Sequence, residues 1–134
     1  MADIEISLQG LEGDSWGVPP APATELATLV FSSRLKPVKS LTPVELRVLI
    51  AQQIGVEILV PVALDLLQQY PFVCGSLYPG DLLATVLRLD PSFWAERPEL
   101  RVRTSGLLDS LSEYPENLRS LAGPLINAAR DFDA

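Results

Sequence analysis

The amino-acid sequence predicts an all-α protein, and three observations support this fold class. Apolar residues recur three and four positions apart along most of the chain, which is the spacing of an amphipathic helix. Repeatedly, a proline stands one or two residues before an acidic residue, a combination typical of the first turn of a helix. One segment near the N-terminus alternates like a strand, but no second clear strand exists to pair with it.

The first element is an acidic segment, residues 1–22, that contains no basic residue. Its alternating stretch, residues 4–8, lacks a partner strand, so we expect an extended N-terminal arm. Trp16 lies between two glycines and is expected to anchor this arm onto the body of the protein. The remainder, residues 23–134, is predicted to be helical, and the whole chain is expected to form a single domain with a core of its own.

The body is expected to contain about six helices, separated by proline and glycine. The first spans Thr24–Leu35 and stops before Pro37, because the residue preceding a proline is biased away from helical backbone. The second begins at Thr42-Pro43-Val44-Glu45, where threonine can cap the helix and proline suits its first position. The glutamate completes a capping box. Gly55 then separates this helix from the third.

The third helix, Val56–Gln69, is apolar on nearly all sides, which predicts a central place in the core. Its polar residues, which include Glu57, Asp65 and the final glutamines, share one narrow stripe with Pro61. A proline costs least on an exposed edge, where a lost backbone hydrogen bond can be replaced by water. Glu57 and Asp65 are therefore expected to face solvent.

Prolines also predict the starts of the remaining helices, at Pro79, Pro98 and Pro115. Pro124 is expected to kink the last of these helices, because its ring removes a backbone hydrogen bond. Between the first two, Asp90-Pro91 predicts a short turn. Phe93 and Trp94 follow in this turn, and we expect them to fill the core rather than to face a partner.

The charge of the chain limits what it can bind. Ten Lys and Arg residues stand against seventeen Asp and Glu residues, so the net charge is −7 and the pI is about 4.4. Phosphate backbones and anionic lipids repel such a protein, which argues against direct binding to nucleic acid or to a membrane. The longest apolar stretch, residues 54–67, contains two acids and is too short to span a bilayer. A basic protein is the partner that this charge favours.

The sequence contains no recognisable catalytic or metal site. There is no histidine, which removes the commonest general base at neutral pH. Cys74 is the only cysteine, so neither an internal disulfide nor a zinc site of Cys and His is expected. An enzyme that uses carboxylates alone, with or without a divalent metal, is an alternative. Glu57 and Asp65 are loosely spaced for an acid–base pair, however, and we predict a protein with no enzymatic activity and no cofactor.

Acidic residues on predicted exposed edges are the candidates for contact with a basic partner: Glu12, Asp14, Glu57, Asp65 and Asp81. Tyr78 is the first candidate for an aromatic anchor and Trp16 the second, because aromatic side chains dominate the binding energy of many interfaces. A purely structural role is the alternative for these acidic and aromatic residues. The proline and the acid of Tyr78-Pro79-Gly80-Asp81 also suit a helix start, and solvated carboxylates are the ordinary state of surface acids.

Several sequence blocks, taken in order, resemble an all-helical family of immunity proteins from bacterial contact-dependent growth inhibition (CDI) systems. The blocks are Leu11–Gly17, Leu41–Gly55, Leu59–Leu64, Tyr78–Leu83, Phe93–Trp94 and Pro98–Leu100. Together they extend over roughly residues 11–108, and the last predicted helix is matched less clearly. Similar proteins carry an acidic residue where Ser76 stands here, so this chain is expected to contact its partner differently at that loop.

The resemblance implies one protein partner, the cognate C-terminal toxin domain of a large surface-displayed inhibition protein. The immunity protein would bind this domain 1:1 in the cytoplasm and mask its active site. Many such toxins are nucleases that act on tRNA or DNA, and a nuclease must present a basic substrate groove, which an acidic protein suits. The first residues, Met1–Glu5, lack both the basic and the apolar region of a signal peptide, which also predicts a cytoplasmic location.

An acidic secretion chaperone or adaptor is the alternative function. Such a protein is also small and binds a protein client, but it holds the client in exposed apolar grooves. Here most apolar residues are needed for the predicted core, which favours the immunity function. A large exposed hydrophobic patch would favour the chaperone instead.

Overall fold

The structure, a computed structural model, describes residues 3–133. Met1, Ala2 and Ala134, which belong to the predicted arm and body, lie outside the described residues. Within that range all regular elements are helical, so the predicted all-α class is confirmed. The α-helices are α1 (Leu8–Glu12), α2 (Glu25–Ser33), α3 (Pro43–Ala51), α4 (Val56–Gln69), α5 (Asp81–Leu87), α6 (Pro91–Ala95), α7 (Pro98–Asp109), α8 (Glu116–Leu121) and α9 (Gly123–Asp133). Two short 3-10 helices cover Val38–Ser40 and Ser110–Glu113.

The expected number of about six helices is not confirmed, since the described range contains nine α-helices. Two of the additional helices are short: α1 lies in the segment expected to be an arm, and α6 replaces the turn expected after Asp90. The third arises because the last predicted helix is divided into α8 and α9. Pro124 stands at the second position of α9, where its missing N–H costs nothing. Leu121, just before the break, is 64% exposed.

The N-terminal residues fold back onto the body, so the expected extended arm is not confirmed. Ser7 caps α1 by accepting a backbone hydrogen bond from within the helix (3.1 Å). Leu8 is fully buried. It packs on Gly55, where an added Cβ would lie 2.7 Å from both of its δ-carbons. The reason is burial, because removing one leucine side chain from water contributes about 2 kcal/mol, which an extended arm would forgo.

The most completely buried helix is α5, whereas the sequence predicts α4 for this place. Six of the seven residues of α5 are buried, and the helix packs against α3, α4 and α9. In α4 the predicted polar stripe lies at the surface, since Glu57 and Asp65 are exposed and Pro61 is half-buried. A helix with an exposed stripe lies at the edge of the core, and α5 has no such stripe.

The helix starts predicted at Pro43 and Pro98 are confirmed. The start predicted at Pro79 is not, because α5 begins at Asp81 with Gly80 as its N-cap. The capping box of α3 is present, because Thr42 Oγ1 accepts from the Glu45 N–H (3.2 Å) and Glu45 Oε1 accepts from the Thr42 N–H (3.0 Å). The bounds of α4 are those predicted, Val56–Gln69. Phe93 and Trp94 are both buried, and the Trp94 ring packs edge-on against another core aromatic with centroids 5.0 Å apart.

Glu45 is also the centre of a buried ionic cluster between α2 and α3. Its side chain is only 7% exposed. Lys36 Nζ lies 2.8 Å from its Oε2, and the Ser33 hydroxyl donates to the same oxygen (3.2 Å). Burial raises the pKa of the Glu45 carboxyl, but the hydrogen bonds from Lys36, Thr42 and Ser33 outweigh this effect and hold the pKa below its usual value.

This lowered pKa predicts a pH-dependent contribution to stability. A carboxylate whose folded-state pKa is depressed stabilises the fold above its unfolded-state pKa, and the contribution is lost as the pH falls through the folded-state value. We expect Glu45→Gln to lower the free energy of unfolding by about 1–2 kcal/mol near neutral pH, because glutamine keeps the capping box but not the charged hydrogen bonds. Below the folded-state pKa the difference from wild type should shrink.

Urea denaturation at neutral pH and at about pH 3 measures this difference. Glu116→Gln is the matched control, because Glu116 is exposed and has no ion pair within residues 3–133. A loss for Glu45→Gln that is equal at both pH values would show that the carboxylate charge does not stabilise this site.

Candidate functional site

Three of the candidate residues surround a buried arginine that follows α2. Arg34 is only 1% exposed. Its Nη2 donates to Glu12 Oε1 (2.8 Å) and to the backbone oxygen of Asp14 (2.9 Å). The Trp16 ring covers the guanidinium, with 3.9 Å between Arg34 Cζ and the ring centroid. The structure thus brings Glu12, Asp14 and Trp16 together, and we call these four residues the Arg34 cluster.

The Arg34 cluster holds the N-terminal segment against α2. Trp16 Nε1 donates to Asp14 Oδ2 (3.2 Å), and the edge of the Trp16 ring meets Phe31 of α2 at a centroid distance of 5.3 Å. Gly13 has a φ of +65°, a backbone conformation that glycine adopts at little cost, and it turns the chain after α1. The available sequence signal for Arg34 is weak: one arginine stands near the end of a predicted helix, and the acidic segment has no base of its own.

Glu57 and Asp65, the two acids of the α4 stripe, are both exposed. Only Asp65 has a cation beside it among the described residues. Asp65 forms an ion pair with Arg103 of α7, and Arg103 also donates to Gln68 Oε1 (2.9 Å). Within residues 3–133, no cationic side chain lies within ion-pair distance of Glu57. The stripe therefore presents one unpaired and one partly neutralised carboxylate to solvent.

Asp81 is buried, so the prediction that it lies on an exposed edge is wrong. It is 1% exposed, and its carboxylate accepts from the N–H groups of Gly75 (2.5 Å) and Leu77 (2.9 Å). Arg47 reaches the same loop, since its Nε donates to Gly75 O (2.7 Å) and lies 3.6 Å from Asp81 Oδ2. A buried charge must be paired in this way. Asp81 therefore holds the loop between α4 and α5 in place and is out of reach of a partner while the loop keeps this form.

Tyr78, the first aromatic candidate, is half-buried and packs against the core. In the same loop, Leu77 presents more apolar surface, at 65% exposed. Ser76 beside it has a φ of +85°, in the left-handed region that favours glycine, and is exposed. The residue type at position 76 therefore alters the surface of this loop and not the core.

A groove without any local sequence signal lies between the α4–α5 connection and the start of α8. Its walls are formed by Gln69, Tyr70, Pro71, Phe72, Val73, Tyr114 and Leu118. The groove has a volume of about 310 Å³, and the rings of Phe72 and Tyr114 meet edge to face with centroids 5.1 Å apart. We call these seven residues the aromatic groove. Because two distant segments form it, no periodicity within either segment could reveal it.

The described part of the chain exposes acidic and aromatic side chains on and beside α4. In residues 3–133, no three Cys, Asp or Glu side chains come close enough together to hold a metal ion. None of the helices in this range is long and apolar enough to cross a membrane. Acidic side chains along α4 and aromatic side chains at its C-terminal end are accessible at the surface.

Comparison with known proteins identifies one family. A family model described as CDI immunity proteins matches residues 10–103, which is more than half of the chain. No curated protein and no solved structure is significantly similar. The matched range includes the Arg34 cluster, the α4 stripe and the loop held by Asp81. Tyr114 and Leu118 of the aromatic groove lie beyond it.

Proposed function

The chain belongs to the family of CDI immunity proteins, and from this premise we propose that it binds and neutralises the C-terminal toxin domain of its cognate growth-inhibition protein. It acts in the cytoplasm as a 1:1 inhibitor without catalytic activity of its own, and it masks the active site of the toxin. The family match over residues 10–103 is the observation that carries this proposal.

The charge of the protein supports a basic toxin, such as a nuclease. The net charge is −7, and Glu57 and Asp65 both face solvent along α4, separated by a rise of about 12 Å. A nuclease that binds tRNA or DNA presents a basic groove, which this surface complements. Complementary charge chiefly accelerates association, and an inhibitor that meets a freshly delivered toxin benefits from a fast encounter.

The stripe on α4 is the acidic surface that we assign to this encounter. Glu12 and Asp14 lie in the Arg34 cluster, where Glu12 already pairs with an internal cation. Asp81 is buried. Glu57 has no such pairing among the described residues, and the Asp65 side chain remains 75% exposed despite its ion pair with Arg103. Among the five predicted acids, Glu57 and Asp65 are therefore the ones that we assign to a basic partner.

The test is binding to the toxin domain encoded immediately upstream, produced as a catalytically inactive variant. Association and dissociation rates are measured at about 0.01 M and about 0.15 M salt, between which the Debye length falls from about 30 Å to about 8 Å. We expect a 1:1 complex whose association slows at the higher salt concentration and whose dissociation changes little. An absence of binding at both salt concentrations would contradict the proposal and would favour the alternative function, a secretion chaperone or adaptor.

A further inference from the structure

We propose that the aromatic groove is the apolar anchor site for the toxin, and that it receives an apolar or aromatic side chain from the basic surface of that partner. This inference rests on the proposed function and adds to it the place where most of the binding energy arises. Interfaces concentrate that energy in a few aromatic contacts that water cannot reach, surrounded by a polar rim.

The groove exposes aromatic surface that the fold itself leaves uncovered. Tyr70, which ends α4, is 60% exposed. Phe72 and Tyr114 are half-buried and meet edge to face, so they line the groove with ring surface. A volume of about 310 Å³ corresponds to on the order of ten water molecules, and an entering apolar side chain would displace several of them. Tyrosine is also among the residues most enriched at binding hot spots.

The backbone under the groove is fixed before any partner arrives. The Tyr70 N–H donates to Leu66 O (3.0 Å), and the Val73 N–H donates to Tyr70 O (3.1 Å). The Gly80 N–H donates to Phe72 O (3.0 Å) and to Val73 O (3.3 Å), which ties this segment to the start of α5. A site held in its binding conformation loses little entropy on association.

Exposed acids close to Tyr114 in the sequence favour a basic occupant. Glu113 and Glu116 flank Tyr114 in the sequence, and both are exposed. No ion pair of either glutamate occurs within residues 3–133. Arg119 is the cation of α8, and its Nε is engaged by Tyr114 O (3.1 Å). The two acids outnumber the one cation of this segment, and the whole chain carries a net charge of −7, which favours a positively charged partner.

The groove is continuous with the acidic stripe of α4. Gln69 forms part of the groove and is the last residue of α4, whose exposed stripe carries Glu57 and Asp65. From Glu57 to Gln69 the helix rises about 18 Å. A standard interface buries about 800 Å² on each partner, a patch roughly 28 Å across. One toxin surface can therefore cover the acids and the groove together.

A second copy of this chain is a poorer occupant. Each copy carries a net charge of −7, so contact between two copies brings like-charged surfaces together, which is destabilising. The toxin, with a basic surface, meets no such repulsion.

The experiment measures dissociation of the complex with the inactive upstream toxin domain. Tyr70→Ala and, separately, Leu118→Ala should each raise the dissociation rate at least tenfold and change the association rate less than twofold, because an apolar anchor acts after the encounter. Leu26→Ala is the matched control, since Leu26 is a similarly exposed apolar residue (47%) on α2. Thermal melts verify that each variant is folded, and Tyr70 is exposed enough to be replaced without unfolding.

The outcomes separate this inference from the proposed function. If wild type binds the toxin and both groove variants dissociate at the wild-type rate, the anchor site is wrong while the immunity function stands. If wild type does not bind at all, the proposed function fails, and this inference fails with it. Sedimentation that shows a dimer of this chain, abolished by Tyr70→Ala, would make a second copy the occupant and overturn the assignment to the toxin.

Discussion

Replacing Arg34 by alanine is expected to lower the free energy of unfolding by about 3 kcal/mol, since removing one partner of a buried ion pair costs about 3–5 kcal/mol. The lower end applies because the Glu12 side chain is 30% exposed and keeps some hydration when its cation is lost. The change also removes the hydrogen bond to Asp14 O and the contact with the Trp16 ring. The N-terminal segment should then detach from α2.

Urea denaturation followed by far-UV circular dichroism measures this loss. Because Trp94 also emits, the detachment is followed by the Trp16 emission in a Trp94→Phe background. Arg88→Ala is the matched control, because Arg88 is exposed and has no ion pair in residues 3–133. It should change the free energy of unfolding by less than about 0.5 kcal/mol. An Arg34→Ala protein that loses less than about 1 kcal/mol, with unchanged Trp16 emission, would refute the structural role of the cluster.

Reversing the charge of Glu57 and Asp65 together is expected to slow association with the toxin roughly 10- to 100-fold at low salt, because steering by complementary charge raises association rates by about 10–10³. The two lysines would face the basic partner along the exposed stripe of α4. Stability should fall by no more than about 1 kcal/mol, since the Asp65–Arg103 ion pair is a surface pair. Stopped-flow association at about 0.01 M salt is the measurement.

The control for this variant reverses two acids in matched surroundings elsewhere. Glu25 lies in the first turn of α2, as Glu57 does in α4, and Glu96 is 74% exposed beside Arg97, as Asp65 is 75% exposed beside Arg103. Glu25→Lys with Glu96→Lys changes the net charge equally but leaves the stripe intact. Equal slowing by both double variants would mean that only net charge matters and that the α4 stripe is not part of the interface.

Features that depend on neighbouring residues could be predicted from the sequence. Thr42 and Glu45 stand three apart, and that spacing alone predicts the capping box that the structure contains. The apolar period between Gly55 and Tyr70 likewise predicts the bounds of α4. The break at Pro124 was predicted only as a kink, because the sequence does not show that Ala122 leaves helical backbone before Gly123.

Features that depend on distant residues could not be predicted. Asp81 has the sequence surroundings of an exposed helix start, and its burial follows from a loop that folds back over it and from Arg47 of α3. Arg34 is buried by residues some 20 positions earlier in the chain. A buried charge is recognised through its partners, and tertiary contacts decide which partners arrive.

The same distinction between local and long-range features applies to the candidate site. The exposure of Glu57 and Asp65 follows from helical periodicity and could be predicted. The aromatic groove could not, because Phe72 and Tyr114 meet only after α8 packs beside the end of α4. Tyr78, which the sequence favours as an anchor, is half-buried against the core.

The most direct test of the immunity function is growth of bacteria that produce the active upstream toxin domain internally. Co-production of this protein is predicted to restore growth, and a folded variant that combines Glu57→Lys, Asp65→Lys and Tyr70→Ala should restore it poorly. A toxin domain from an unrelated inhibition system, against which no protection is expected, controls for general effects. Growth arrest by the cognate toxin despite abundant, folded wild-type protein would contradict the immunity function.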